Sequence, residues 1–300
     1  MDKRAVAKAK LLSSMLIWGS LGLFVRGIPL PSSVIANSRG IIGSIFLIVV
    51  MLVKHIRLDL SALKRNWLLL LVSGIMLGLN WIMLFESYRY TTIAVSTLCY
   101  YLAPIIVVAV SPIVFGEKLN GRKILCVLAA LVGMVFVSGV AEGGLPQSSE
   151  AMGIVMALGA ACLYAAIVIC NKKLQGISGT ERTVVQLLIA AIVLLPYNLL
   201  TVQVDFGSLS TSAWALLLVV GIVHTGICYY MYFGCIEDLP SQTVAILAYV
   251  DPVVAVLLSA LLLKEPMSGL MWLGALLIIG AAVLLELPSK KSKTLKSAKL

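Results

Sequence analysis

The 300-residue sequence predicts an all-α membrane protein of ten transmembrane helices arranged as two inverted five-helix repeats. Three observations carry that reading. Hydrophobic residues make up 61% of the chain and charged residues only 12%, against roughly 25% charged in soluble domains. The mean hydropathy is +1.06, and the apolar residues recur in blocks near the ~20 residues that a bilayer-crossing helix needs. The two halves of the chain also repeat one another.

The apolar blocks run approximately 11–27, 34–53, 67–88, 93–115, 121–140, 152–171, 183–201, 213–235, 241–263 and 269–287. They are continuous rather than alternating with period two, which excludes a β-barrel. Turn or polar chemistry separates them, as in Gly27-Ile28-Pro29-Leu30-Pro31, Lys54 to Asn66, Gly116 to Asn120 and Gly143 to Glu150. Most of the glycines sit inside the blocks, where lipid-embedded helices use them for close packing. The first block is followed by no small-residue cleavage site, so it reads as a retained helix and not a signal peptide.

Lysine and arginine set the orientation. With the N-terminus inside, only Arg26, Arg39, Arg89 and Lys264 fall away from the cytoplasmic segments, leaving the other 19 of the 23 basic residues there. The predicted outer loops carry Glu142, Glu150 and Asp205 instead. One loop dissents: Glu237-Asp238 should be cytoplasmic yet holds no Lys or Arg. The expectation is a multi-pass cell-membrane protein with both termini cytoplasmic. The net charge of +10 then reflects topology, and no nucleic-acid partner is expected. Six cysteines lie in or at the ends of blocks without CxxC spacing, so neither a disulfide nor a metal site is expected.

The repeat is the most informative feature. Tyr101-Leu102-Ala103-Pro104, followed by Glu117 and Gly121, matches Tyr249-Val250-Asp251-Pro252, followed by Glu265 and Gly269, at a shift of 148. A shift of 147 takes Trp67 to Trp214 and Gly74 to Gly221. Residues 1–145 and 146–288 are thus read as five-helix copies, with a basic cytoplasmic tail at 289–300. Five is odd, so the second copy enters the membrane from the opposite side. That architecture belongs to alternating-access carriers, with the substrate site near the midplane between the halves.

With Trp18-Gly19 in the first block, Arg39 in the second and the doubled Pro-x12-Glu pattern, the chain resembles EamA-type members of the drug/metabolite transporter superfamily over essentially its whole length. The resemblance implies a carrier, often an exporter, of amino acids, other metabolites or drugs. It also implies that helices 1–4 and 6–9 line a central cavity, with helices 5 and 10 peripheral. The second half departs from the pattern, placing Tyr164 and Gln186 opposite Trp18 and Arg39. Asp251 is also not part of that pattern.

The polar residues inside the blocks then sort by depth. Pro104 and Pro252 each sit near the middle of a block and free the carbonyl four residues back, Tyr100 and Ala248; such helix breaks either kink a packed helix or face a watered cavity. Ser241, Ala245, Ala248, Pro252, Ala255 and Ser259 form a stripe of small residues on one face of the ninth block. Arg39 and Glu86 lie in the outer third, where they could form a gating ion pair; Glu86 could equally pair with Arg89 three residues on. Asp251 lies near the centre with no obvious partner, where a charged carboxylate is costly, so it is a candidate for proton coupling or for contact with an organic cation. His224 is also deep and could couple a proton or simply hold structure. Trp18, Trp81, Tyr100, Tyr101, Tyr164 and Tyr249, with Asn80 beside Trp81, are the candidate substrate-binding residues, suited to stacking or to cradling a cation.

The predicted function is secondary transport of small organic metabolites such as amino acids or amines, with export as the direction, alternating access as the mechanism and a proton as the candidate coupling ion. No cofactor is expected; the partners are the substrate and the lipid bilayer, with a homodimer left open. Rival readings are a scaffold or helper subunit and an intramembrane enzyme. The enzyme is disfavoured because only His55 and His224 are present, with no paired-His, phosphate-loop or GxSxG element.

Overall fold

The computed structural model describes residues 3–56, 58–116, 120–138, 140–142, 147–203, 206–236, 238–239, 244 and 247–286. Glu117, Glu237, Ser241, Ala245 and the tail from 289 onward, all used in the sequence reading, lie outside the described residues. Everything regular among the described residues is helical.

The elements are α1 (Lys3–Gly19), α2 (Leu21–Arg26), α3 (Ser32–Val53), α4 (Leu60–Arg65), α5 (Trp67–Tyr90), α6 (Ile93–Tyr100), α7 (Ala103–Phe115), α8 (Gly121–Val137), α9 (Ser148–Lys173), α10 (Gly179–Thr201), α11 (Thr211–Gly221), a π-helical turn (Ile222–Ile227), α12 (Cys228–Ile236), α13 (Val250–Leu261) and α14 (Gly269–Glu286). Among the described residues, seven helical stretches are long and apolar enough to cross a membrane: Lys3–Arg26, Ser32–Val53, Trp67–Tyr90, Ile93–Phe115, Ser148–Lys173, Gly179–Thr201 and Thr211–Cys235. Val250–Leu261 and Gly269–Leu284 are apolar but shorter.

Helix ends follow local chemistry. Thr92, Asn120 and Ser210 accept from the N–H of Val95, Lys123 and Ala213, and Ser178 with Glu181 forms a reciprocal capping box, satisfying donors that have no partner inside a helix. Asp59 caps α4; bonds from the Ser61 hydroxyl foremost, then from backbone N–H groups, hold its carboxyl below the usual carboxylate range. Gly116 ends α7 at φ +65°, a left-handed conformation that suits glycine best.

Large apolar side chains remain exposed all along the helices, among them Ile113, Leu128, Val155, Leu200 and Leu276. That is the pattern of a surface whose solvent is hydrocarbon. The interior holds small residues at helix crossings. Gly133 of α8 and Gly274 of α14 approach so closely that a Cβ on either would lie 2.8 or 2.6 Å from the other's carbonyl oxygen. One network joins both ends of α4 to the α9–α10 loop and the first turn of α10: Asn66 Nδ2 and Arg65 Nη2 donate to the Gln175 carbonyl, each at 2.9 Å, and Asp59 N donates to Glu181 at 2.9 Å. Lys3 pairs with Asp238 at 2.8 Å, so the dissenting acidic loop lies beside the basic N-terminus.

Candidate functional site

Pro104 cannot donate to the Tyr100 carbonyl, and its ring would crowd it. The chain responds by ending α6 at Tyr100, turning through Tyr101 and Leu102, and restarting with Pro104 in the first turn of α7, where a missing N–H costs little. The ninth block does the same: Tyr249 caps α13 and Pro252 is its third residue. The expected mid-helix kinks are therefore boundaries between helical segments, placed a few residues before each proline.

The two breaks meet. Tyr101 donates its hydroxyl to Asp251 Oδ2 at 2.5 Å, giving Asp251 the partner that the sequence did not disclose. The repeat-related rings of Tyr101 and Tyr249 lie 6.3 Å apart. Tyr100 packs edge-on to Tyr101 at 6.1 Å and against Tyr164 of α9 at 5.5 Å. Asn80 supports this group from behind: it is fully buried, donates to the Ala160 carbonyl at 2.6 Å and places Oδ1 3.5 Å from the Tyr100 hydroxyl. Tyr164 keeps 39% of its surface exposed, and Tyr100, Tyr101 and Asp251 are half-buried, so protein does not fully cover the cluster. On its other side Gly19 abuts the backbone: a Cβ there would lie 2.7 Å from the Asp251 carbonyl and 2.6 Å from Val254 Cβ. The Trp18-Gly19 dipeptide thus lets α1 reach the second break.

Arg39 is only 3% exposed. Its Nε donates to Thr225 Oγ1 at 2.7 Å, and its guanidinium lies 4.3 Å above the Trp81 ring and 5.7 Å from that of Phe85. Trp81, expected to face substrate, is a buried platform for this cation. Glu86 points elsewhere, accepting from Ser32 Oγ at 2.5 Å and lying 3.8 Å from Arg89. The expected Arg39–Glu86 ion pair is therefore not formed. The i+3 alternative is the pair that exists, because Arg39 turns toward the aromatic faces and Thr225.

His224 sits in the π-helical turn, 1% exposed, with Nε2 3.0 Å from Ser20 Oγ, Nδ1 3.4 Å from the Val219 carbonyl and its ring 4.7 Å from Phe24. Trp18 donates Nε1 to the His224 carbonyl at 2.7 Å and packs against Tyr229 and Tyr232 at 5.2 and 5.5 Å.

At the end of the molecule opposite Lys3, Arg26 pairs with Glu265, whose other oxygen accepts from the Ile93 N–H at 3.0 Å and from Ser259. Beside this clamp lies a cavity of about 350 Å³, lined by Arg26, Ser32, Ile35, Phe85, Tyr88 and Arg89 among others. Sequence reasoning missed Thr225 and the Arg26–Glu265 clamp. The doubled Pro-x12-Glu pattern was the available signal for Glu265; a single buried threonine leaves none. Among the described residues, no group of three His, Cys, Asp or Glu could hold a metal ion.

The chain is 29% identical over 259 residues to the uncharacterized transporter YxxF of Bacillus subtilis (strain 168), covering 85% of this chain and 81% of that one. It is 24% identical over 223 residues to protein PecM of Dickeya dadantii (strain 3937), covering 73% of each. A solved crystal structure shares the fold at a TM-score of 0.66 and 22% identity, over 94% of this chain and 96% of that one. The profile of the EamA-like transporter family matches residues 9–139 and 151–287, and the chain belongs to that family of membrane transporters.

Proposed function

We propose that this protein is a secondary exporter of small organic metabolites such as amino acids or amines, working by alternating access in the cell membrane with both termini cytoplasmic. The reading takes ten spans in two inverted copies, 1–145 and 146–288. The repeat shift of 148, the two separate segments matched by the family profile and the paired helix breaks support it. The observation that carries it is the contact of Tyr101 with Asp251: two broken helices, one from each copy, meet at an aromatic cluster that protein does not fully cover. Irregular backbone at membrane depth persists where it is buried in protein or lines a cavity, and carrier sites lie at such interfaces. The Asp251 carboxyl, held by a hydroxyl and only half-buried, is the group that loads a proton in exchange for substrate.

The test is a thermal-shift screen of amino acids, amines and drugs on the purified protein, followed by uptake of the hits into proteoliposomes. Ligands stabilise the state that binds them, so one chemical class should raise the melting temperature and be transported; Tyr101→Phe should lose both effects, and Asp251→Asn should keep the stabilisation while losing gradient-driven uptake. Stabilisation and uptake unchanged in both variants would move the site elsewhere. Cysteines introduced in the 141–150 loop should label from outside; labelling only from inside would reverse the orientation.

A further inference from the structure

The six-residue π-helical turn Ile222–Ile227 redirects two polar groups. In an α-helix the Cys228 N–H would bond the carbonyl of residue 224; here it goes to Val223 and Thr225. The His224 carbonyl is thereby left for Trp18 Nε1 at 2.7 Å. One residue on, Thr225 Oγ1 donates to the carbonyl five residues back, Val220, at 2.9 Å, which leaves its lone pairs to accept Arg39 Nε–H. Such turns inside α-helices occur frequently at functional sites. The neighbouring helix is locked to this one in register. A Cβ on Gly43 would lie 2.4 Å from Thr225 Cγ2, one on Gly221 2.6 Å from Ile42 Cβ, and one on Gly226 2.5 Å from Phe46.

We propose that the π-helical turn is the positioning element of the substrate site, with Thr225 the positioning residue that sets the Arg39 guanidinium over Trp81 while the His224 carbonyl fixes Trp18. The assignment rests on the transporter reading above and adds a residue to it. Nε is the Arg39 nitrogen hydrogen-bonded among the described residues; the two terminal nitrogens are the donors left for a substrate. A hydroxyl both donating into its own helix and accepting from Arg39 has a fixed direction, so the cation inherits the rigidity of the helix. A methyl at that place would leave the guanidinium held by ring faces alone.

The experiment uses the full-length protein in a background whose only tryptophan is Trp81, with Trp18, Trp67, Trp214 and Trp272 replaced by phenylalanine. Thr225→Val should carry most of the Trp81 emission change that Arg39→Leu produces, and Thr225→Ser, which keeps the hydroxyl, should restore the parent spectrum. If Thr225→Val does not fold, Thr225→Ala is read in its place. In the otherwise unaltered protein, Thr225→Val should raise the KM for any compound that the thermal-shift screen shows to be transported by about tenfold with kcat little changed, and Thr225→Ser should rescue it. A parent-like Trp81 spectrum in the valine or alanine variant overturns the positioning claim. A changed spectrum with unchanged KM in a transporting protein overturns its link to the substrate site. If the wild-type protein transports nothing, the transporter reading fails, while the emission comparison still decides what Thr225 does to Arg39.

Discussion

The two halves of the chain correspond in sequence and differ in the charges they place inside their helices. The repeat shift takes Arg39 to Gln186, and it takes Asp251 back to Ala103. At these two positions one half carries an ionisable group where its counterpart has a neutral residue. Gln186 shows what the scaffold requires by itself: its amide donates to Ser73 Oγ at 2.6 Å and Asn171 Oδ1 at 2.8 Å, tying α10 to α5 and α9 with ordinary hydrogen bonds. Arg39 performs the matching tie to the π-helical turn but adds a buried charge, compensated by two ring faces and one hydroxyl. Ala103 is simply buried, while Asp251 meets one donor among the described residues, the Tyr101 hydroxyl, and is half-buried. The cation is locked and the acid is lightly held, which suits a fixed recognition group and a group that changes its proton or partner during a cycle.

The largest expected effect breaks this comparison at the locked charge. Arg39→Leu should reduce transport about 10–100-fold, the worth of a charge-assisted hydrogen bond. It should leave the melting temperature unchanged or raise it, since replacing a buried charge by an apolar group removes a desolvation penalty. A variant that transports normally would show the cation to be structural. Next is the approach of α1 to the acid. Gly19→Val places atoms inside the 2.6–2.7 Å gap to Val254 and the Asp251 carbonyl and should cost about 1–3 kcal/mol, seen as a lower melting temperature together with weakened ligand binding. Unchanged stability would mean that α1 slides freely along α13.

Smaller effects sharpen the contrast between the halves. Gln186→Leu leaves Ser73 and Asn171 without their donor and should lower stability by about 1–2 kcal/mol with transport per folded molecule retained, the opposite of Arg39→Leu. Loss of transport at normal stability would make both positions part of the site. Smallest is Glu86→Gln: its pairing with Arg89 is half-exposed, so the change should stay under about 0.5 kcal/mol. Combined with Arg39→Leu it should be additive. A measurable coupling between the two would revive the ion pair that the geometry lacks.

The all-helical fold and its apolar spans were legible because apolar block length reports directly on what lipid requires. The Tyr-x-x-Pro breaks could be read because proline chemistry is local. The meeting of Tyr101 with Asp251 was not read, although the repeat had already set Tyr101 opposite Tyr249, since contact across 150 residues depends on how the two copies dock. Arg39 was assigned the wrong partner for a related reason: depth along a helix follows from residue counting, but the direction a side chain takes around the helix does not. Depth placed Glu86 near it, whereas direction gave it Trp81 and Thr225. The π-helical turn had no period to betray it.

The central claim is that Asp251, held by Tyr101 between the two halves, couples proton movement to substrate movement. The most direct test is Asp251→Asn reconstituted in proteoliposomes with a substrate found by the thermal-shift screen, comparing accumulation driven by a pH gradient with substrate exchange at equilibrium. The account predicts that accumulation is lost while exchange persists, because the amide keeps the Tyr101 contact but cannot release a proton. Wild-type accumulation across the pH gradient in Asp251→Asn would contradict it.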